Sequence, residues 1–306
     1  MAGARSVSTA ILGVSHTPPN FDVPRNACDC HVHVFGPHAR FPLWPGRSYT
    51  PGEASIEELE ALHRHLGIER VVVVHPSPYG ADNAVTIDAL RALGDKARGV
   101  AVIDETTSDS ALVEMHQAGV RGVRVNLESA GESDPAVARR ALEWAGQRVR
   151  PFGWHVQTFT TLPVISAVYD TIAALPVTLV IDHFGRPDAA LGPDQPGLEK
   201  IYALLKSGKV YVKISGAYRI SKTPDYADAA PIARAMIAAN PDRIVWGSDW
   251  PHPSGGKGRA VRDLVNVEAF RPEDEGAALN RLNGWCANKG ELEKILVTNP
   301  ARLYDF

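Results

Sequence analysis

The sharpest chemical feature of the chain is a pair of histidines one residue apart, His31 and His33, in Cys30-His31-Val32-His33. On a strand, residues i and i+2 share a face, so both imidazoles would enter one cavity. There they could bind a metal through ring nitrogens or donate hydrogen bonds to an oxyanion. Further polar residues close or follow short apolar runs: Ser77, Asp104, Arg124, His155, Gln157, Asp182-His183, Ser215 and Ser248-Asp249. A carboxylate such as Asp249 at the rim of an apolar site can act as general base for a water. Its bland alternative is a helix N-cap, a position aspartate favours. Arg124 can hold a substrate carboxylate bidentately, or it can sit in a structural ion pair. Tyr49, on the first long loop, can cover a ligand or pack on the surface. His63-Arg64-His65 repeats the histidine spacing, but on an expected helix, where i and i+2 diverge. It is read as no site, and His252 as a loop histidine.

These residues need a scaffold that gathers run ends in one place. β-branched and apolar runs at 27–34, 71–75, 100–103, 120–125, 155–158, 178–181, 210–214 and 244–246 alternate with amphipathic stretches. Continuous runs such as Val71-Val72-Val73-Val74 suit parallel strands covered on both faces. Helix starts are legible as well. Ser55-Ile56-Glu57-Glu58 fits a capping box, and Asp134-Pro135 fits an N-cap followed by proline at the first helical position. Eight strands alternating with helices predict a (β/α)8 TIM barrel, whose catalytic groups stand at the C-terminal strand ends. A doubly wound dinucleotide-binding sheet would need a Gly-x-Gly-x-x-Gly after a strand, and none occurs. The expected organisation is an irregular arm over residues 1–24 and one barrel domain over 25–306.

Composition excludes other classes. The 306 residues are 44% hydrophobic and 22% charged with a net charge of −3, which leaves no basic footprint for nucleic acid. No apolar run approaches the roughly 20 residues of a membrane span. The apolar run 10–14 is too short for a signal peptide. Three cysteines make no disulfide framework, so a cytoplasmic protein is expected. Gly-x-Ser-x-Gly is absent, which disfavours a serine hydrolase. Gly255-Gly256-Lys257-Gly258 lacks P-loop spacing and is read as a flexible turn.

The motifs resemble one family. Asp29-Cys30-His31-Val32-His33-Val34-Phe35-Gly36-Pro37 is similar to the opening motif of the amidohydrolase superfamily. Gly122-Val123-Arg124, Asp182-His183-Phe184-Gly185-Arg186-Pro187, Gly247-Ser248-Asp249-Trp250-Pro251-His252 and Asn299-Pro300-Ala301-Arg302 narrow the likeness to its lactonase-type "amidohydrolase 2" subgroup. That subgroup includes a 2-pyrone-4,6-dicarboxylate lactonase, sugar lactonases and a galactarolactone isomerase. The resemblance implies that His31, His33 and His183 surround a reacting carbonyl, or a metal that polarises it, and that Asp249 activates water. Arg124, with Tyr49, Ser77, His155 and Gln157, would hold the substrate. One divalent ion such as zinc on His31, His33, His183 and Asp249 is chemically acceptable, and no organic cofactor is implied. Two metals are not expected, because the strand-four bridging position carries Arg124 and the strand-five ligand position carries Gln157. No second arginine follows shortly after Arg124, which disfavours a dicarboxylate substrate. The expected activity is hydrolysis of an anionic or polyhydroxylated lactone, a small-molecule substrate. Lactone isomerisation or decarboxylation on the same site, and a non-catalytic binding barrel, are the alternatives. Homo-oligomerisation is left open.

Overall fold

The computed structural model describes residues 10–253 and 264–306. Eight parallel strands form one sheet in sequence order: β1 (Cys28–Val32), β2 (Arg70–Val74), β3 (Ala97–Ala101), β4 (Val120–Asn126), β5 (His155–Phe159), β6 (Leu179–Ile181), β7 (Val210–Ser215) and β8 (Ile244–Gly247). The sheet closes on itself just beyond β8. Asp249 N–H donates to the His31 carbonyl and His33 N–H donates to the Trp250 carbonyl, both at 2.8 Å. Parallel neighbours need crossovers. These are α1 (Ile56–Leu66), α2 (Ala84–Leu93), α3 (Asp109–Gln117), α4 (Pro135–Val149), the short pair α5 (Leu162–Ala167) and α6 (Tyr169–Ala174), α7 (Leu198–Lys206) and α8 (Ala229–Ala239). The result is the expected (β/α)8 barrel.

Local signals behave as read. Ser55 and Glu58 make a reciprocal capping box, and Asp134 caps α4 with Pro135 in its first turn. The third strand differs: it begins at Ala97, ahead of the expected run, because Ala97-Arg98-Gly99 carries no apolar mark while pairing fully with Val71-Val72-Val73. His63 and His65 do diverge on α1. His63 lies 3.4 Å from the Asp29 carboxylate, and His65 meets the His16 carbonyl at 3.0 Å.

Two buried layers result. Alternate strand residues pack outward against the helices, while Cys28, Cys30, Val72, Val74, Val100, Val180, Tyr211, Val245 and the helix-borne Tyr304 fill the barrel interior. The polar residues lie above this plug. Within the arm, His16 and Thr17 grip α9 (Glu275–Trp285) at its start: His16 Nδ1 is 2.6 Å from Glu275, and the Thr17 N–H donates to Asp274 at 2.9 Å. A short parallel pair, Thr50–Pro51 with Val267–Glu268, stands apart from the barrel sheet and has no sequence signal. Among the described residues no helix is long and apolar enough to cross a membrane. The glycine stretch at 255–258 lies outside the described residues.

Candidate active site

The first and last strands build the centre together. The Asp29 carboxylate accepts from the N–H of Ser248 at 2.9 Å and of His31 at 3.2 Å, tying β1 to the end of β8. Gly247 permits this approach, since a Cβ there would stand 2.6 Å from the His31 Cβ. His183, Phe184 and Asp249 all take positive φ (49°, 61° and 69°). Such conformations cost energy for non-glycine residues and cluster where surrounding structure over-determines them. Asp249 caps no helix. A turn follows it, closed by His252 N–H donating to its carbonyl.

His31, His33, His183 and Asp249 come together, all buried. Each imidazole commits its Nδ1 elsewhere. His33 Nδ1–H donates to the Val74 carbonyl at 2.8 Å, His31 Nδ1 faces Asp182 Oδ1 at 3.3 Å, and His183 Nδ1 bonds the Ser215 hydroxyl at 3.0 Å. That leaves three Nε2 atoms around one carboxylate oxygen: Asp249 Oδ1 is 3.6 Å from His31, 3.6 Å from His33 and 3.9 Å from His183. Burial holds all three imidazoles neutral, with His31 pushed down to about 3. His31 Nε2, His183 Nε2 and Asp249 Oδ1 have no hydrogen-bond partner. With each ring proton on Nδ1, the three Nε2 lone pairs and Asp249 Oδ1 converge without a donor among them, which is what a cation site requires. A tetrahedral ion with bonds of about 2.1 Å would separate its ligands by about 3.4 Å, close to the spacing here. The ligand atoms of His31, His33 and Asp249 therefore fit one metal ion, with His183 Nε2 standing off at 3.9 Å from the shared carboxylate oxygen.

Asp249 Oδ2 is occupied. The Tyr218 hydroxyl and Arg219 Nε both donate to it at 2.6 Å. Burial alone would raise this carboxyl, but the Arg219 guanidinium outweighs it and holds the group well below the usual range. Below the imidazoles lies Asp182. Its Oδ2 accepts from Arg124 Nε at 3.1 Å and Gln157 Nε2 at 3.0 Å, while Oδ1 faces Lys213 at 3.7 Å as well as His31. Lys213 also donates to Gln157 Oε1 at 2.6 Å. Burial pushes the Lys213 ammonium down to about 8, against the pull of Asp182. His31, Asp182 and His183 form a second possible metal trio. Lys213 Nζ already stands 3.4 Å from His31 Nδ1, so a second cation there would meet its charge.

The remaining expected residues divide. Tyr49, Ser77 and Arg124 line a small cavity together with His33, Phe159 and Arg219. Gln157 is a strut between Lys213 and Asp182, level with Arg124 on the neighbouring strand, and not a free substrate contact. His155 is misplaced by the sequence reading. It starts β5, two residues lower, where its ring fills the space over Gly122 and meets Tyr304 edge-on at 5.2 Å. A run's composition names its strand but not the height of each residue on it. His252 is indeed a loop histidine, 2.7 Å from Glu275. Asp182 and Lys213 stand at expected strand ends but were given no role, and Tyr218 and Arg219 were missed. Lys213 did carry a signal, because a lone charge inside Val210-Tyr211-Val212-Lys213-Ile214 must find a buried partner.

A family model described as amidohydrolase matches residues 28–306. The chain belongs to the amidohydrolase family. Among this enzyme family, a 2-pyrone-4,6-dicarboxylate hydrolase of Comamonas testosteroni is 38% identical over 94% of this chain and 92% of its own. A 4-sulfomuconolactone hydrolase of Hydrogenophaga intermedia is 34% identical over 98% and 96%. A crystal structure of a protein from Agrobacterium tumefaciens superposes with a TM-score of 0.79 at 27% identity, covering 94% of this chain and 98% of that one.

Proposed function

We propose that this amidohydrolase opens a lactone that carries at least one anionic group, using water activated at Asp249. The observation that carries the reading is Asp249 itself: one oxygen is fixed by Tyr218 and Arg219, and the other is bare and faces three imidazoles on the floor of the mouth. Both hydrolases above act, by name, on a dicarboxylate or a sulfonated lactone. No second arginine follows shortly after Arg124, but Arg186 and Arg219 reach the same place from other loops. All three guanidiniums lie over the Phe159 ring, at 5.1, 5.7 and 5.5 Å. These cations suit an anionic substrate.

In this reading Arg124, Tyr49 and Ser77 hold the substrate so that its carbonyl meets the three histidines. Asp249 Oδ1 accepts a proton from the attacking water and returns it to the departing alkoxide, which keeps proton and charge in balance. Neutral imidazoles whose Nδ1–H groups are committed elsewhere offer lone pairs and cannot donate to an oxyanion. One divalent ion on His31, His33, His183 and Asp249 would supply that stabilisation when bound. Tyr218 and Arg219 orient the carboxylate, and Asp182 orients His31. Residues 25–306 act as one barrel domain in a reducing cytoplasm, consistent with free Cys28, Cys30 and Cys286.

The test is turnover of a panel of acidic lactones in isotopically heavy water, with metal content measured on the same sample. Hydrolysis adds one labelled oxygen to the product. A product of unchanged mass, or one that has lost carbon dioxide, would overturn the reading in favour of isomerisation or decarboxylation.

A further inference from the structure

Beside the small cavity at His33 and Arg219 lies a larger one of about 440 Å³. The two share Ser77, Arg124 and Ser129 among their lining residues, so Arg124 borders both spaces. Its other walls include Ala81, Val102, Ala130 and Trp44. Trp44 is unusual because it is 51% exposed, and among the exposed large apolar side chains of the described residues it is the one lining this space. Its exposure does not come from a loose loop. Trp44 N–H donates to the Pro78 carbonyl at 2.8 Å, and its own carbonyl accepts from Arg47 Nη1 at 3.2 Å. The indole lies across Gly80, at φ 63°, where a Cβ would stand 3.1 Å from the ring. The aromatic face is thus held in place before any ligand arrives.

The polar groups around it are already engaged. Arg47 spends its guanidinium on Thr50 and on the Trp44 and Leu264 carbonyls, Asn126 Oδ1 accepts from Ser129 N–H, and Asp104 Oδ1 accepts from Thr106 and Thr107. A ligand group entering here finds an aromatic plate and the small apolar walls of Ala81, Val102 and Ala130, beside a polar rim that Arg47, Asn126 and Asp104 partly satisfy within the protein.

We propose that this side cavity is a second subsite, which takes a flat apolar substituent of the substrate stacked on Trp44. It rests on the lactone reading above and sharpens it to lactone acids that carry an aryl group on the side remote from the reacting carbonyl. Stacking on a preorganised indole acts on binding and leaves the reacting centre untouched, so its effect falls on KM and not on kcat.

The experiment compares a carboxylated butyrolactone with its phenyl-substituted analogue on the wild-type protein, Trp44→Ala and Ala130→Phe, the last filling the cavity from an exposed loop position. The expected result is a KM about tenfold lower for the phenyl compound on the wild type. In both variants that advantage disappears, while the parent KM and both kcat values stay within about twofold. Equal KM values on the wild type, or equal changes for both lactones in Trp44→Ala, would overturn the subsite and leave hydrolysis standing. If neither lactone turns over, calorimetric binding of the two ring-opened hydroxy acids decides. A tenfold preference that is lost in Trp44→Ala upholds the subsite while removing the hydrolytic reading, and equal Kd values remove the subsite as well.

Discussion

Two buried aspartates stand within one mouth and live under opposite rules. Asp182, after β6, is surrounded by Arg124, Gln157, Lys213 and His31, so each oxygen faces a partner. Asp249, beyond β8, has one oxygen held by Tyr218 and Arg219 and one left facing lone pairs. Both carboxyls are pulled well below the usual range, and in both cases burial is outweighed by neighbouring cations. The pKa direction therefore does not tell the two apart. What does is the company of the oxygen that makes no hydrogen bond: Asp182 Oδ1 faces the Lys213 ammonium, which ties it to its neighbours, and Asp249 Oδ1 faces three neutral imidazoles, which leave it available for chemistry.

The largest expected break in this comparison is Asp249→Asn. The amide keeps the shape but accepts no proton, so kcat should fall by about 10²–10⁴-fold. Metal content must be measured in the same protein, because a bound ion would also lose a ligand. A folded Asp249→Asn protein with near-wild-type kcat would place the base elsewhere. Asp182→Asn should instead strike stability. It leaves the Lys213 and Arg124 charges buried without their counter-charge, a loss of about 3–5 kcal/mol readable as a lower urea midpoint. An Asp182→Asn protein of unchanged midpoint would mean that this carboxylate is not the organising one. Arg124→Lys follows, since a lysine cannot serve Asp182 and a substrate carboxylate with the same planar fork. KM for an acidic lactone should rise by the equivalent of about 1–3 kcal/mol, against a smaller change for a neutral lactone. Equal losses on both would assign Arg124 to the Asp182 side alone.

The smallest effect concerns the arm, whose His16 meets Glu275. Burial would raise Glu275, but His252 and His16 outweigh it and hold the carboxyl at about 2, below its ordinary 4.5. That contribution is complete above pH 4.5 and lost as pH falls towards 2. His16 moves the other way: Glu275 outweighs burial and raises it above 6.5. Its contribution is complete below pH 6.5 and lost as pH rises through the folded value. Attachment of the arm to α9 is expected to be tightest between these limits, read as amide-exchange protection at Thr17 and Asn20, corrected for intrinsic rates. Protection that stays flat across the range would mean the His16–Glu275 pair contributes nothing to docking.

What the sequence made legible follows the range of the interactions. Strand order, the capping box at Ser55 and the Asp134 cap rest on neighbours a few residues apart, and they appear where the pattern puts them. The His31 and His33 pair was legible because strand alternation is also local. Tyr218, Arg219 and the role of Asp182 were not, because each acquires its meaning from a partner on another strand or loop. His155 shows the same limit in reverse: its strand was right, yet β5 begins there, which sets the ring against Tyr304 and not among the other histidines. The early start of β3 belongs here too, since Arg98 joins that strand by pairing with Val72 and not by any apolar character of its own.

The seam of the barrel carries one more implication. The backbone bonds that join β1 to the segment after β8 run through His31, His33, Asp249 and Trp250, so the contacts that shut the cylinder also bring the imidazoles to the carboxylate. During synthesis the first histidines leave the ribosome long before their aspartate exists, and no partly emerged chain can own this centre. The centre exists only where β1 meets the segment after β8, so the appearance of catalysis reports that the cylinder has closed.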